Sequence, residues 1–163
     1  MSIEAVELGG SLLRNFHQAR LLELNTLKNG LEEYARSLEG PEGRTLKIQA
    51  EPDALGLELR DAGDDLLASV AIPPDALGEL LDEYLGIVRK LSREDVHASA
   101  FEVEALDMAK KVVHDRAGRM LRRALREFGL DLEAARRVFS VFVSLLVDTT
   151  RIAGVHGHPH RPG

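Results

Sequence analysis

The chain has no cysteine and no tryptophan, and aromatic residues make up only 4% of its 163 residues. The lack of cysteine excludes disulfides, thiolate zinc sites and cysteine nucleophiles, and it fits the reducing cytoplasm, where we expect the protein to be. The first residues show no basic and apolar segment of the kind that forms a secretory signal. The most apolar run, residues 138–147, is far shorter than the roughly 20 residues that span a membrane, so we expect no membrane partner.

Charge is unevenly distributed along this acidic chain, whose net charge is −6. Residues 1–109 contain 10 Lys and Arg against 22 Asp and Glu, whereas residues 110–163 contain 11 against 5. A basic face for an acidic partner would give this pattern, but attraction between the two halves explains it better. Nucleic acid is an unlikely partner, because such binders are more often basic overall and offer aromatic stacking groups.

A period of two in the apolar residues predicts three short strands between residues 45 and 72. Their alternating apolar positions are Leu46, Ile48 and Ala50, then Leu55, Leu57 and Leu59, then Leu66, Ala68, Val70 and Ile72. Tight turns at 51–54 and 61–64 join them into an antiparallel meander with one apolar face. Residues 2–8 fit either a short strand or the loose start of a helix.

Helical spacing predicts about four α-helices around this meander. They run from Ser11 to a stop at Gly40-Pro41, from Pro73-Pro74-Asp75 to about Leu91, from near Ser99 to Gly129, and from the Asp131 cap to about Thr150. The predicted fold class is therefore α+β, a three-stranded antiparallel meander packed against about four α-helices. We expect one domain over residues 1–153 and a disordered tail over residues 154–163.

The last predicted helix is apolar nearly all the way round, which is more than one core face requires. The apolar residues are Val138, Phe139, Val141, Phe142, Val143, Leu145, Leu146 and Val147. This pattern favours a homo-oligomer, and our leading interpretation is a non-catalytic interaction module that acts as a homodimer and binds a further protein. We expect no enzymatic activity and no cofactor.

A second interpretation is a small-molecule or metal site along the helix that begins near Ser99. Asp107, Lys110 and His114 follow the edge of its apolar stripe at spacings of three and four, so each neighbours the next. His114 would then titrate near neutral pH. Asp107 and His114 are two turns apart, about 10 Å along the axis, and cannot form a dyad. The alternative is a polar edge that fixes helix register or joins a dimer seam.

The tail offers a separate candidate metal site, formed by His156, His158 and His160. Alternating imidazoles bind zinc, copper or nickel. Because the tail provides no carboxylate or cysteine to complete the coordination, adventitious affinity is the competing interpretation.

Residues 103–115 resemble the signature of a small, uncharacterised alphaproteobacterial family. The matching residues are Glu104, Ala105, Asp107, Met108, Lys110, Lys111, His114 and Asp115, followed by Asp131, Ala135, Arg136, Arg137 and Phe139. The resemblance extends over roughly residues 45–146, and it departs at Arg116, where the family carries an acidic residue. It implies an α+β domain and no particular activity.

Overall fold

The computed structural model describes residues 3–94 and 99–147. Its strands are β1 (Ile3–Gly9), β2 (Arg44–Glu51), β3 (Ala54–Arg60) and β4 (Leu66–Ile72). Its α-helices are α1 (Gln18–Ala35), α2 (Gly78–Glu94), α3 (Ala100–Ala124) and α4 (Leu132–Leu146). The α+β class is confirmed, with one strand more than predicted. The tail, residues 154–163, lies outside the described residues.

The sheet has four strands in the order β1-β2-β3-β4, and it is mixed rather than purely antiparallel. β1 runs parallel to β2, whereas β2 pairs with β3, and β3 with β4, in the antiparallel sense. The prediction of a three-stranded antiparallel sheet was therefore wrong in detail, because the meander is present but has a fourth strand beside β2. A parallel pair needs a crossover connection, and α1 provides it between β1 and β2.

A bulge in β1 explains why its sequence fitted a strand no better than a helix. Ile3 pairs with Arg44 and Ala5 pairs with Thr45, so one residue of β1 has no partner in the ladder. As a result Ile3 and Val6 are both buried although they are three residues apart. A spacing of three is helical, so the bulge conceals the period of two by which strands are recognised.

The meander has the apolar inner face that its alternation predicted. The side chains fully or almost fully buried on this face are those of Leu46, Ile48, Ala50, Leu55, Leu57 and Leu59. Leu66, which was expected on the same face, is instead 51% exposed. The register of β4 against β3 shifts between Leu59 and Arg60, which turns the start of this edge strand away from the core.

α4 lies at the centre of the core, between α1 and α3, and packs against both. Six of the eight apolar residues that suggested a dimer surface are buried within this single chain: Val138, Phe139, Val141, Phe142, Val143 and Leu145. The same cluster of buried side chains includes the inner face of the sheet. Packing within one chain therefore accounts for the apolar pattern of α4, and dimerisation stays a prediction that needs another surface.

The helix boundaries follow local capping chemistry. Ser99 accepts a hydrogen bond from the backbone N–H of Glu102 at 3.2 Å and forms a capping box with it, so α3 begins where predicted. Asp131 caps α4 through the N–H of Ala134 at 2.9 Å. The predicted first helix is shorter than expected, because a separate 3₁₀ turn occupies Ser11–Asn15 and α1 ends at Ala35. None of the helices in the described ranges is both long and apolar enough to cross a membrane.

The first half of α3 lies outside the main core. Its buried residues begin only at Val113 and continue at Ala117, Gly118 and Leu121. α3 also packs against α2, with contacts at His114 and Arg116, whereas Phe101, Met108 and Val112 are exposed to solvent. α3 therefore joins the core by its second half and presents an uncovered apolar surface on its first half.

Candidate functional site

Four polar side chains interrupt the apolar surface of α4 on one face. Glu133, Arg136, Arg137 and Ser140 are spaced i, i+3, i+4 and i+7, so they lie side by side along the helix. They line a pocket of about 460 Å³ together with Thr26, Leu27 and Gly30 of α1 and His114 of α3. The pocket thus opens where three helices meet, and we call it the α1–α3–α4 pocket.

Two glycines give the arginines of this pocket their room. A Cβ on Gly30 would lie 3.3 Å from Nη1 of Arg137, and a Cβ on Gly118 would lie 2.6 Å from Cγ of Arg136. The second distance is shorter than real contacts allow, so Gly118 is required for α4 to approach α3 this closely. The missing side chain at Gly118 therefore serves helix packing.

His114 is held by a closed set of hydrogen bonds between α3 and α4. Nε of Arg136 donates to Nδ1 of His114 at 3.3 Å, so the ring proton is assigned to Nε2, 2.9 Å from Oγ of Ser140. Ser140 in turn donates to the backbone carbonyl of Arg136 at 3.3 Å. Both ring nitrogens are therefore occupied within the chain.

The surroundings of His114 keep its imidazole neutral. The ring makes an edge-to-face contact with Phe139 and a tilted contact with Tyr84, at centroid distances of 5.4 and 6.0 Å. Burial lowers the pKa of His114 from 6.5 to about 4, and the positive charge of Arg136 adds to that shift, while Asp115 opposes it. The expectation that His114 titrates near neutral pH was therefore wrong, because the predicted edge of the stripe is covered by α4.

Glu133 brings the two guanidinium groups of the pocket together. Its carboxylate oxygens lie 3.4 Å from Nη1 of Arg136 and 2.9 Å from Nε of Arg137. Arg136 also has its Nε 3.2 Å from Oδ1 of Asp115. The guanidinium of Arg137 lies over the ring of Tyr34, 5.3 Å from the centroid. Both arginines are thus fixed in position by several contacts each.

Each of the two guanidinium groups keeps one nitrogen, Nη2, available to donate further hydrogen bonds. Within residues 3–94 and 99–147, neither Nη2 of Arg136 nor Nη2 of Arg137 donates a hydrogen bond. A guanidinium has five N–H donors in a planar fork that suits carboxylate and phosphate oxygens. The pocket therefore offers oriented, positively charged donors that the chain itself does not use up.

Comparison with known proteins identifies the family. Residues 14–148 match the model of an uncharacterised protein family, UPF0262. The chain belongs to this family. A UPF0262 protein from Novosphingobium aromaticivorans is 32% identical over 130 residues, which cover 77% of each chain. No solved structure matches the chain. The resemblance inferred from residues 103–115 is confirmed at the level of the family, and membership of UPF0262 assigns no activity.

Of the three residues predicted to bind a ligand in this UPF0262 chain, the structure brings only His114 into the pocket. Asp107 is exposed on the first half of α3, and Lys110 is half-buried but does not line the pocket. Lys110 contributes to the low pKa of His114 through its charge. His156, His158 and His160 lie outside the described residues, among which no group of three His, Cys, Asp or Glu side chains is arranged to hold a metal.

The arginines and Ser140 of α4 were missed as site residues. Arg136 and Arg137 match the family pattern, but the sequence predicted no site role for them. The signal that would have found them is the polar stripe at positions 133, 136, 137 and 140 of an otherwise apolar helix. When a helix is otherwise buried, a polar stripe on it either forms hydrogen bonds to a neighbouring helix or lines a cavity. The stripe on α4 does both.

Proposed function

We propose that this UPF0262 protein is a non-catalytic cytoplasmic interaction module that acts as a homodimer through the first half of α3. The observation that carries the proposal is the exposure of three large apolar side chains there. Phe101, Met108 and Val112 are 78%, 59% and 54% exposed, respectively. Together with the exposed Ala105 they form a stripe, which we call the α3 stripe. Clusters of this kind on a soluble domain mark interaction sites more often than isolated exposed residues do.

The spacing of the α3 stripe suits another helix. Positions 101, 105, 108 and 112 follow each other at intervals of four, three and four, which is the seam of a helix pair. In an antiparallel pair centred between Ala105 and Met108, Phe101 of one copy packs on Val112 of the other. The small Ala105 then accommodates Met108 of the second copy.

The charges beside the stripe favour a second copy of the same chain as the partner. Glu104 and Lys111 are exposed, seven residues apart and therefore on the same side of the stripe. Neither makes an ion pair within the described part of the chain. In the antiparallel pair, Glu104 of each copy lies near Lys111 of the other, so the two-fold axis generates two attractive contacts.

His114 supports the non-catalytic part of the proposal, because both its ring nitrogens are occupied and a pKa of about 4 makes it a weak base near neutral pH. The cysteine-free, acidic composition is consistent with the cytoplasm.

The test is the mass in solution, measured by sedimentation equilibrium over a range of concentrations. We expect twice the 17.9 kDa of the chain for the wild type and a monomer for Met108→Glu. Leu22→Glu is the matched control, since Leu22 is 62% exposed on α1, outside the stripe. Lys111→Glu should weaken the dimer, and the double exchange with Glu104→Lys should restore it. A monomeric wild type at high micromolar concentration would refute the proposal.

A second candidate function is the binding of a small molecule beside His114. It is favoured by the α1–α3–α4 pocket, which contains His114 but neither Asp107 nor Lys110. Metal binding by His156, His158 and His160 stays a separate prediction, to be checked by zinc titration of the full chain.

A further inference from the structure

We propose that the α1–α3–α4 pocket binds a small oxyanion, a carboxylate or a phosphate, through Arg136 and Arg137. The inference gives the ligand class for the second candidate function, and it does not depend on the dimer. The pocket volume of about 460 Å³ lies within the range of small-molecule sites, roughly 300–1,000 Å³. It is large enough for a metabolite-sized acid and too small for a macromolecular segment.

The unused donors of the two guanidinium groups select an anion. Two arginines line the pocket with one carboxylate, that of Glu133, and the carboxylate of Asp115 also contacts Arg136, so these two acids balance the charge of the two arginines. His114 adds no positive charge near neutral pH, because its pKa lies at about 4. Because a guanidinium has N–H donors and no acceptor, the donors that the chain leaves unused favour an oxygen anion as the ligand.

The two guanidinium groups lie close enough to hold one ligand. Both touch the same carboxylate of Glu133, at 3.4 Å for Arg136 and 2.9 Å for Arg137, so a single carboxylate can bridge them. Adjacent residues of a helix point about 100° apart. Glu133 overcomes this divergence, and it thereby positions the two arginines as a pair.

The arginines are also fixed before any ligand arrives. Arg136 is held by His114 and by Asp115, and Arg137 by the ring of Tyr34 and by the carbonyl of Gly30 at 3.5 Å from Nη1. Fixed donors lose little side-chain entropy when a ligand binds, so more of the binding energy is kept. The unused Nη2 groups are the donors that an oxyanion would engage.

The rest of the lining limits the ligand to a small polar acid. Thr26 of α1 and Ser140 of α4 add hydroxyl groups to the lining, and Leu27 is the only large apolar side chain in it. Such a wall suits a short carboxylic acid or inorganic phosphate better than a hydrophobic or aromatic molecule. If the arginines merely tie α4 to its neighbours, no such ligand will bind.

The experiment is isothermal titration of the full chain at low ionic strength with inorganic phosphate and, separately, with succinate. Arg137→Gln removes both the charge and the planar set of guanidinium donors, whereas Arg137→Lys keeps the charge but removes the planar donors. Arg122→Gln is the matched control, because it removes the same charge from an exposed position of α3 outside the pocket. Thermal melts confirm that each variant is folded, and sedimentation shows whether its oligomeric state has changed.

We expect the wild type to bind one of the two probes, which identifies the ligand as a phosphate or a carboxylate. Arg137→Gln should lower the affinity at least about tenfold, Arg137→Lys by several-fold, and Arg122→Gln hardly at all. Binding by neither probe would overturn the proposal. An equal loss of affinity in Arg137→Gln and Arg122→Gln would also overturn it, since binding would then depend only on the overall charge of the protein. A monomeric wild type that binds as expected would refute the dimer alone.

Discussion

Mild acid should weaken the fold through His114, because the folded chain keeps this imidazole neutral. Its pKa is lowered from 6.5 to about 4, first by burial and then by the charge of Arg136. The unfolded chain keeps the ordinary pKa, so between these two values it binds more protons than the folded chain does. The contribution of His114 to stability is therefore complete above pH 6.5 and is lost progressively as the pH falls towards 4.

The size of the effect follows from the two pKa values. At a pH of about 5 the linkage relation gives a loss of about 2 kcal/mol in the free energy of unfolding. Because the ring is only half-buried, solvent screening reduces this to roughly 1 kcal/mol. Protonation would also place a positive charge 3.3 Å from Nε of Arg136, where a hydrogen bond now exists. The tie between α3 and α4 should therefore be the part of the fold that weakens.

The assay is urea unfolding of the wild type and of His114→Gln, each near neutral pH and at a pH of about 5. Glutamine can form hydrogen bonds but does not titrate, and the carboxylates are common to both proteins, so their effects cancel in the comparison. The wild type should lose roughly 1 kcal/mol more than the variant between the two conditions. His17→Gln, which removes an exposed histidine, is the matched control. Equal losses in the wild type and His114→Gln would refute the reasoning.

Two further predictions concern packing and capping in the helices. Gly118→Ala should destabilise the protein by about 1–3 kcal/mol, because the new Cβ would lie 2.6 Å from Cγ of Arg136. In α2, a Cβ on Gly86 would meet nothing within 4 Å, so Gly86→Ala should instead stabilise the protein by roughly 0.5–1 kcal/mol. Thermal melts in which Gly118→Ala is the more stable of the two variants would contradict the packing argument. Ser99→Ala should cost about 1 kcal/mol by removing the capping box with Glu102. Ser99→Asp should keep most of that stability in urea unfolding, and an equal loss in both variants would show that capping is not the cause.

The elements that depend on local sequence could be predicted, and those that depend on tertiary pairing could not. The alternation at Leu46–Ile48 and Leu55–Leu57 specifies a half-buried strand by itself, and the meander followed from it. The strand character of β1 depends on pairing with β2 across the whole of α1 and on a bulge near Ile3. No local period reveals either feature.

The apolar pattern of a helix shows that the helix is buried, but it does not show which surface buries it. The apolar circumference of α4 was interpreted as a dimer surface, but Phe139 and Phe142 are covered by the same chain. A helix buried by its own domain and one buried by a second copy have the same composition, so the sequence could not separate them. The two most exposed of the apolar residues on α3, Phe101 and Met108, belong to a helix for which no such surface was predicted.

The site was predicted in part for a related reason. His114 was singled out because a polar ring at the edge of an apolar stripe is visible in one helix. Its partners Arg136 and Ser140 belong to the next helix, and the contact between them depends on how α3 and α4 cross at Gly118. Asp107 shares a helix with His114, but it does not line the pocket and is exposed.

The central position of α4 has a consequence for synthesis of the chain. The meander is joined by tight turns and can form as soon as β4 is made, but its inner face shares a core with a helix that ends about 74 residues later. At roughly 5–20 residues per second, translation leaves that face without α4 for roughly 4–15 s. We therefore expect the nascent chain to bind chaperones during this interval. A truncation before α4 should accumulate as an aggregate, because the exposed sheet never receives its last covering helix.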